Sequence, residues 1–271
     1  MIDSTKIARY IELAQQVAAQ YRVVYCAFIS GSLIEGIGNS ASDLDVFIVT
    51  PEADLESPID AATFAFSEAR VDISYADDIR IDTEVWTLKS IQDAAAQFRE
   101  VSLADRPAMV SLDESRLQLA HRIKIGIPAL NDASFASIRD LYNYSKLSMI
   151  LANRFLVDYF GHAEDAVGAI DSGDGGTSLL TSRAALGSIV DAYLASYGET
   201  NAKAKWRVQK LRRHGDLSLL SSYMELESQA GIDDDALLAS AKMRLRAASQ
   251  LAQQTQQRLI DIKPLPALEE M

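Results

Sequence analysis

Cysteine is almost missing from this chain: Cys26 is the only one in 271 residues. A lone thiol excludes an intramolecular disulfide and a thiolate metal cluster, and its place in the apolar run Val23-Val24-Tyr25-Cys26-Ala27-Phe28-Ile29 reads as a buried structural position. Histidine is nearly as scarce. His121, His162 and His214 are scattered, and none stands at metal-ligand spacing from another His or Cys. Positive charge is short as well, with 26 Lys and Arg against 38 Asp and Glu, so the field of a chain carrying −12 disfavours bulk nucleic-acid binding. Long hydrophobic runs are absent too: no stretch reaches the ~18 apolar residues that span a bilayer. Met1 to Arg22 has neither a basic n-region nor an apolar h-region, so no secretion signal is expected and the expected location is cytoplasmic. No internal repeat or low-complexity tract is present.

What is there suffices for a core. Hydrophobic residues make up 48% of the chain, enough for one large domain or two modest ones. Ile7, Tyr10, Ile11, Ala14, Val17 and Ala18 recur at helical spacing and predict an opening amphipathic helix. Val23 to Ile29 predicts a buried strand that ends at Ser30-Gly31-Ser32, and Asp43 to Val49 predicts a second. Between them, Gly36 and Gly38 read as a flexible loop. A helix-compatible stretch follows near Ala61 to Glu68, and Ala69 to Ala76 alternates as a third strand. Beyond about Thr87 the periodicity becomes helical, at roughly 88–100, 112–124, 132–161, 176–197, 202–213, 216–229 and 233–261. Asp171 to Gly176 reads as an exposed loop, Asp233-Asp234-Asp235 as a helix cap, and Lys263 to Met271 as a frayed tail. The fold class expected is α+β: a small mixed sheet with helices over residues 1–110, followed by an all-α domain over 111–271.

Asp43 and Asp45, two apart on a strand, project from one face while Leu44 and Val46 point into the core. Two carboxylates side by side repel unless a cation sits between them, and oxygen-only ligands suit Mg²⁺ held jointly with substrate phosphates. Gly31 and Ser32, at a strand-to-helix turn with little side-chain bulk, expose backbone N–H groups and a hydroxyl to a polyphosphate. Asp72 has the strand parity to share the Asp43/Asp45 face and to bind metal or deprotonate an attacking hydroxyl; Asp77, Asp78 and Asp82 are its rivals.

The run Ile29-Ser30-Gly31-Ser32, then Asp43-Leu44-Asp45-Val46, then Val71-Asp72-Ile73, resembles the pattern of the DNA polymerase β-like nucleotidyltransferase superfamily over about the first 85 residues. The resemblance implies a small mixed sheet with helices and two Mg²⁺ ions held by Asp43, Asp45 and Asp72. It also implies in-line attack by an acceptor on an NTP α-phosphate, with pyrophosphate leaving. The helical remainder is similar in architecture to aminoglycoside-type adenylyltransferases. AMP transfer from ATP to a hydroxyl of a small molecule is therefore the leading expectation, and the net negative charge suits a cationic acceptor. A toxin-type enzyme modifying tRNA or a protein, and an NTP-binding module without turnover, are the alternatives. The basic block Lys203 to His214 supplies Lys205 and Arg207, beside Trp206, as candidate phosphate contacts, set against an ordinary solvated helix. Lys146, after the Tyr142/Tyr144 pair in an otherwise apolar helix, is a further nucleotide-binding candidate, with a snorkelling cation as the alternative.

Overall fold

The β-branched and aromatic runs form strands and the amphipathic segments form helices, so the chain is α+β. The computed structural model describes residues 4–51, 63–65, 69–229 and 232–262. In chain order the elements are α1 (Ser4–Ala18), β1 (Cys26–Ser30), α2 (Gly31–Ile34), β2 (Leu44–Thr50), β3 (Thr63–Ala65), β4 (Ala69–Ala76) and β5 (Ile79–Thr87). Then follow α3 (Leu88–Glu100), α4 (Arg106–Val110), α5 (Glu114–Ile125), β6 (Ile127–Leu130), α6 (Asp132–Arg139), α7 (Tyr144–Asp171) and α8 (Gly175–Ser196). A 3-10 turn (Ala204–Trp206), α9 (Arg207–His214), α10 (Leu217–Ser228) and α11 (Asp234–Asp261) complete the described chain.

Two compact units result. The first takes Met1–Val101 and Leu112–Tyr144, the second Ser102–Ser111 and Ser145–Met271, so no single boundary near residue 110 divides them. The cause is β6. Gly126 and Pro128 interrupt the helical run, and Pro128 is tolerated at the sheet edge, where Ile127 to Leu130 pairs with β1 and carries α5 and α6 into the first unit. The continuous helix expected over 132–161 is likewise two helices. Tyr142, between them, is buried edge-on against Phe98, and its hydroxyl donates to the Ile91 carbonyl at 3.1 Å, a tertiary contact that outweighs local propensity. In the stretch expected to be helix-compatible, Thr63–Ala65 is strand. Residues 61–62 and 66–68, the connection at 52–60 and the tail from Lys263 lie outside the described residues.

The sheet of the first unit runs β3-β4-β5-β2-β1-β6, antiparallel throughout except for the parallel pair β2/β5. Its register sets two chemically different faces. Ile29, Val46, Thr83 and Asp72 form one row across the strands, and Ala27, Ile29, Val46, Ile48 and Val85 on that face pack under Leu13, Ala14, Val17 and Ala18 of α1. Ser30, Asp45, Asp82 and Ile73 form the next row, which points the other way. On that second face Phe28 stacks on Phe47 at 4.7 Å and against Phe135 of α6 at 4.8 Å. The register of β4 on β5 is fixed by a two-residue turn, Asp77-Asp78, both at positive φ (50° and 61°), the geometry that matches strand twist in a tight hairpin.

The second unit is helical. α8 packs along α11, and Leu186, Ile189, Val190, Leu194, Leu211 and Leu251 are central to its core. Asp233 caps α11 by accepting from the Ala236 amide at 2.8 Å, as its sequence position predicts. Asp191 of α8, 3% exposed, is the charged centre of this unit: it accepts from Arg207 Nε at 3.0 Å, Arg207 Nη2 at 2.6 Å and Lys210 Nζ at 2.9 Å. Lys210 also donates to the Asn201 carbonyl at 2.8 Å, and Arg207 to the Tyr223 hydroxyl at 3.1 Å. The guanidinium passes a gap in α8 left by Gly187, where a Cβ would lie 2.7 Å from Arg207 Nη1.

Asp191→Ala leaves two buried cations without their anion, and we expect it to lower unfolding free energy by about 3–5 kcal/mol, read from urea midpoints. At the hairpin, Asp78→Gly removes the left-handed penalty of a side chain and is expected to stabilise by roughly 0.5–1 kcal/mol, read as a rise in Tm.

Candidate functional site

β1 ends where β2 begins its buried course, and the antiparallel register sets Ser30 opposite Asp45. Gly31 then turns the chain with φ +83°, a left-handed conformation that glycine adopts freely. Space requires glycine there even more than conformation does: a Cβ at Gly31 would lie 1.7 Å from Asp45 Oδ2 and 2.5 Å from Arg122 Nη1. The Asp45 carboxylate therefore rests on the Gly31 backbone. Arg122, in the last turn of α5, donates from Nη1 to Asp45 Oδ2 at 3.2 Å, and its own carbonyl accepts from the Ser30 hydroxyl at 2.8 Å.

Four carboxylates gather on this face. Asp45 pairs in register with Asp82 on β5, Glu84 follows two residues on, and Asp43 precedes β2. Burial pushes Asp45 up to about 6; Arg122 works against that, and the charges of Asp43 and Glu84 add to it. Asp82 is also held above the ordinary carboxylate value, by burial first and by its hydrogen bond with Asp43, against the opposing pull of Arg80. Arg80 grips Asp82 with Nε at 2.8 Å and Nη2 at 2.9 Å. Glu84 accepts from Trp86 Nε1 at 3.1 Å.

Asp72 does not belong to this group. It faces α1 in the row of Thr83 and Val46, 3% exposed, where it accepts from the Tyr21 hydroxyl at 3.1 Å and from Arg70 Nε at 3.0 Å. The parity expected of it was that of an isolated strand, whereas the face is decided by the register with β5, which sets Asp82 against Ile73 rather than against Asp72. Asp82, its rival, is the acid aligned with Asp45.

Ser32 sits in the turn after Gly31, and its carbonyl accepts from the amides of Ile37 at 3.0 Å and Gly38 at 2.8 Å. The Gly36/Gly38 segment is thus folded back onto the turn and is not a free loop; a Cβ on Gly38 would press on the Leu33 and Ser32 backbone at about 3.1 Å. His121, whose spacing gave it no metal-binding role, forms a buried pair with Glu35 (Nε2 to Oε2 3.5 Å), directly before Arg122 in sequence. Arg122 itself was missed because it is 77 residues from Asp45 and no local pattern marks it. A cleft of about 760 Å³ opens at the same end of the sheet, between Lys6 and Tyr10 of α1, Gly38 and Ser42 of the loop, and Tyr75 and Arg80 of the hairpin.

The remaining nucleotide-binding candidates all lie in the second unit. Arg207 is committed to Asp191, Lys205 Nζ lies 5.0 Å from the Trp206 ring centroid, and the Lys146 ammonium, on α7, is lowered by burial.

Among the described residues no three carboxylate, imidazole or thiolate side chains converge as metal ligands. The donor set nevertheless fits a hard divalent cation. Asp43 hydrogen-bonds Asp82 and its charge reaches Asp45, every donor is oxygen, and the negative charge that adds to the effect of burial on Asp45 and Asp82 is what such a cation relieves.

No family model matches this chain, and no curated protein does. A solved structure described as a nucleotidyltransferase-like protein from Exiguobacterium sibiricum 255-15 is similar over 96% of this chain and 82% of that one, at 11% sequence identity and a TM-score of 0.45. A likeness at that level carries nothing about chemistry, which rests on the side chains alone. Among the described residues no helix is long and apolar enough to cross a membrane.

Gly31→Ala is expected to destabilise the first unit by at least about 1–2 kcal/mol from backbone strain alone, and to part Asp45 from Arg122. Urea unfolding reads the first effect, and a crystal structure of the variant the second.

Proposed function

We propose that this chain transfers a nucleoside monophosphate, AMP from ATP, to a hydroxyl of a small molecule and releases pyrophosphate. The observation that supports it is the row Ser30–Asp45–Asp82 with Asp43 alongside and the Gly31 backbone pressed against Asp45. In this reading Asp43, Asp45 and Asp82 hold Mg²⁺, which draws charge from the phosphoryl oxygens when bound. The chain's own part is to orient and to accept a proton. Gly31 and Ser32 hold the polyphosphate by backbone N–H groups and a hydroxyl. The acceptor oxygen bonds to the α-phosphorus, the bond from that phosphorus to the bridging oxygen breaks, and pyrophosphate carries away the electron pair. Asp82, set beside Asp45 by the register of β5 on β2, is placed to take the hydroxyl proton. Asp72 and Arg207 have no part in it.

The cleft of about 760 Å³ beside Arg80 has the size for a small organic molecule, though Asp43, Asp45 and Asp82 do not line it. The charge of −12 favours a cationic one such as an aminoglycoside. A macromolecular acceptor loses its main support, because Arg207 and Lys210 of the basic block are bound to Asp191 and Arg213 is paired with Glu199.

Incubating the protein with each NTP, Mg²⁺ and either aminoglycosides or cell extract should yield a product heavier by one nucleoside monophosphate, identified by mass. Asp45→Asn and Asp82→Asn should each cut turnover by roughly a hundredfold or more. Asp72→Asn should lower the Tm and leave turnover in the folded fraction. The opposite pattern, with Asp82→Asn active and Asp72→Asn silent, would sink the assignment.

A further inference from the structure

Two arginines stand against the two register-paired acids: Arg80 holds Asp82, and Arg122 holds Asp45. The second pair is the more secluded, with side chains 21% and 15% exposed. It is also the looser one. Arg80 closes on its acid with two nitrogens, whereas the contact from Arg122 to Asp45 is a single nitrogen at 3.2 Å, longer than the ~2.7–2.9 Å of a well-formed charge-assisted bond. The Ser30 hydroxyl pins the Arg122 carbonyl, so the root of the side chain is fixed while its tip lies over Gly31. A guanidinium therefore stands where a phosphate would reach Gly31, on the carboxylate where a cation would bind.

We propose that Arg122 is a triphosphate-binding residue that occupies Asp45 until nucleotide arrives, so that nucleotide and divalent cation enter the site together. This rests on the nucleotidyl-transfer reading above. The exchange is balanced in charge: Asp45 gives up a monovalent partner for a divalent one, and the planar fork of Arg122 gives up one carboxylate oxygen for phosphate oxygens that it can grip with two nitrogens. A cation alone must displace Arg122 without offering it a new anion, and nucleotide alone must draw Arg122 off Asp45 and leave that carboxylate bare. Each ligand lowers the cost of the other, and by linkage the coupling is the same in both directions.

The test measures binding and needs no turnover. Mn²⁺ is titrated by the EPR signal of the free ion, with and without α,β-methylene-ATP, and the analogue is titrated without metal, on the wild type, Arg122→Gln and Arg122→Lys. In the wild type the analogue should tighten Mn²⁺ binding by about tenfold or more. Arg122→Gln should bind Mn²⁺ alone roughly tenfold more tightly than the wild type, bind the analogue alone roughly tenfold more weakly, and lose most of the coupling. Arg122→Lys, which keeps the charge without the fork, should fall between; should Arg122→Gln not fold, the Lys variant alone decides by the direction of its two shifts. Weaker or unchanged Mn²⁺ binding in the folded variants overturns the proposal and leaves Arg122 a structural ion pair. A wild type that binds the analogue and Mn²⁺ while substitution at Arg122 moves neither refutes this inference alone. A wild type that binds neither refutes the nucleotidyl-transfer reading, and this inference with it.

Discussion

The backbone of Gly31 and the carboxylate of Asp45 occupy the same small space, and the first unit is arranged around that contact. For a carboxylate to lie against main chain, the turn must be left-handed, β1 and β2 must run antiparallel with Ser30 opposite Asp45, and no Cβ can intervene. The charge so introduced is largely enclosed and requires a partner. α5 supplies it from a distant part of the sequence, with Arg122 on the carboxylate and the Arg122 carbonyl on Ser30. β6, directly after α5, then completes the sheet edge beside β1. One close approach thereby ties the start of the first unit to its end.

Features that depend on near neighbours were legible in the sequence. The strands around Cys26–Ser30 and Leu44–Thr50, the glycine between them, the Asp43/Asp45 pair and the helical second half follow from alternation and periodicity over a few residues. Features that depend on register or on distant partners were not. Asp72 and Asp82 are equally acceptable on a single strand, and only the pairing of β4 with β5 and of β5 with β2 separates them. The basic block around Arg207 has a solvated composition, yet two of its cations turn inward to Asp191, 16 residues before Arg207 and 19 before Lys210. Nothing within a helical turn of Asp191 announces that pairing.

The two units handle buried charge in opposite ways. In the second, one acid is held by two cations, one braced by the Tyr223 hydroxyl and the other by the Asn201 carbonyl. Such an arrangement resists change, since removing any member strands the rest. In the first, several acids share a face with fewer cations, and burial, with the charge of neighbouring acids added to it, raises the proton affinity of Asp45 and Asp82. That surplus of acids is unfavourable for folding and useful for capturing a cation, a division familiar between scaffold and site.

The two-residue turn at Asp77-Asp78 acts, in this light, as a phase setter. With β5 held beside β2 by its own register, the length of the turn determines whether Asp72 is sealed under α1 or joins the face of Asp45 and Asp82. One residue more or fewer in the turn would shift the alternation of one strand against the other, so the chemical identity of the face is encoded as a count and not only as a set of side chains. Tandem changes of even length in this hairpin are therefore neutral to that identity in a way that odd ones are not, and the tolerance of the turn to insertion has a parity.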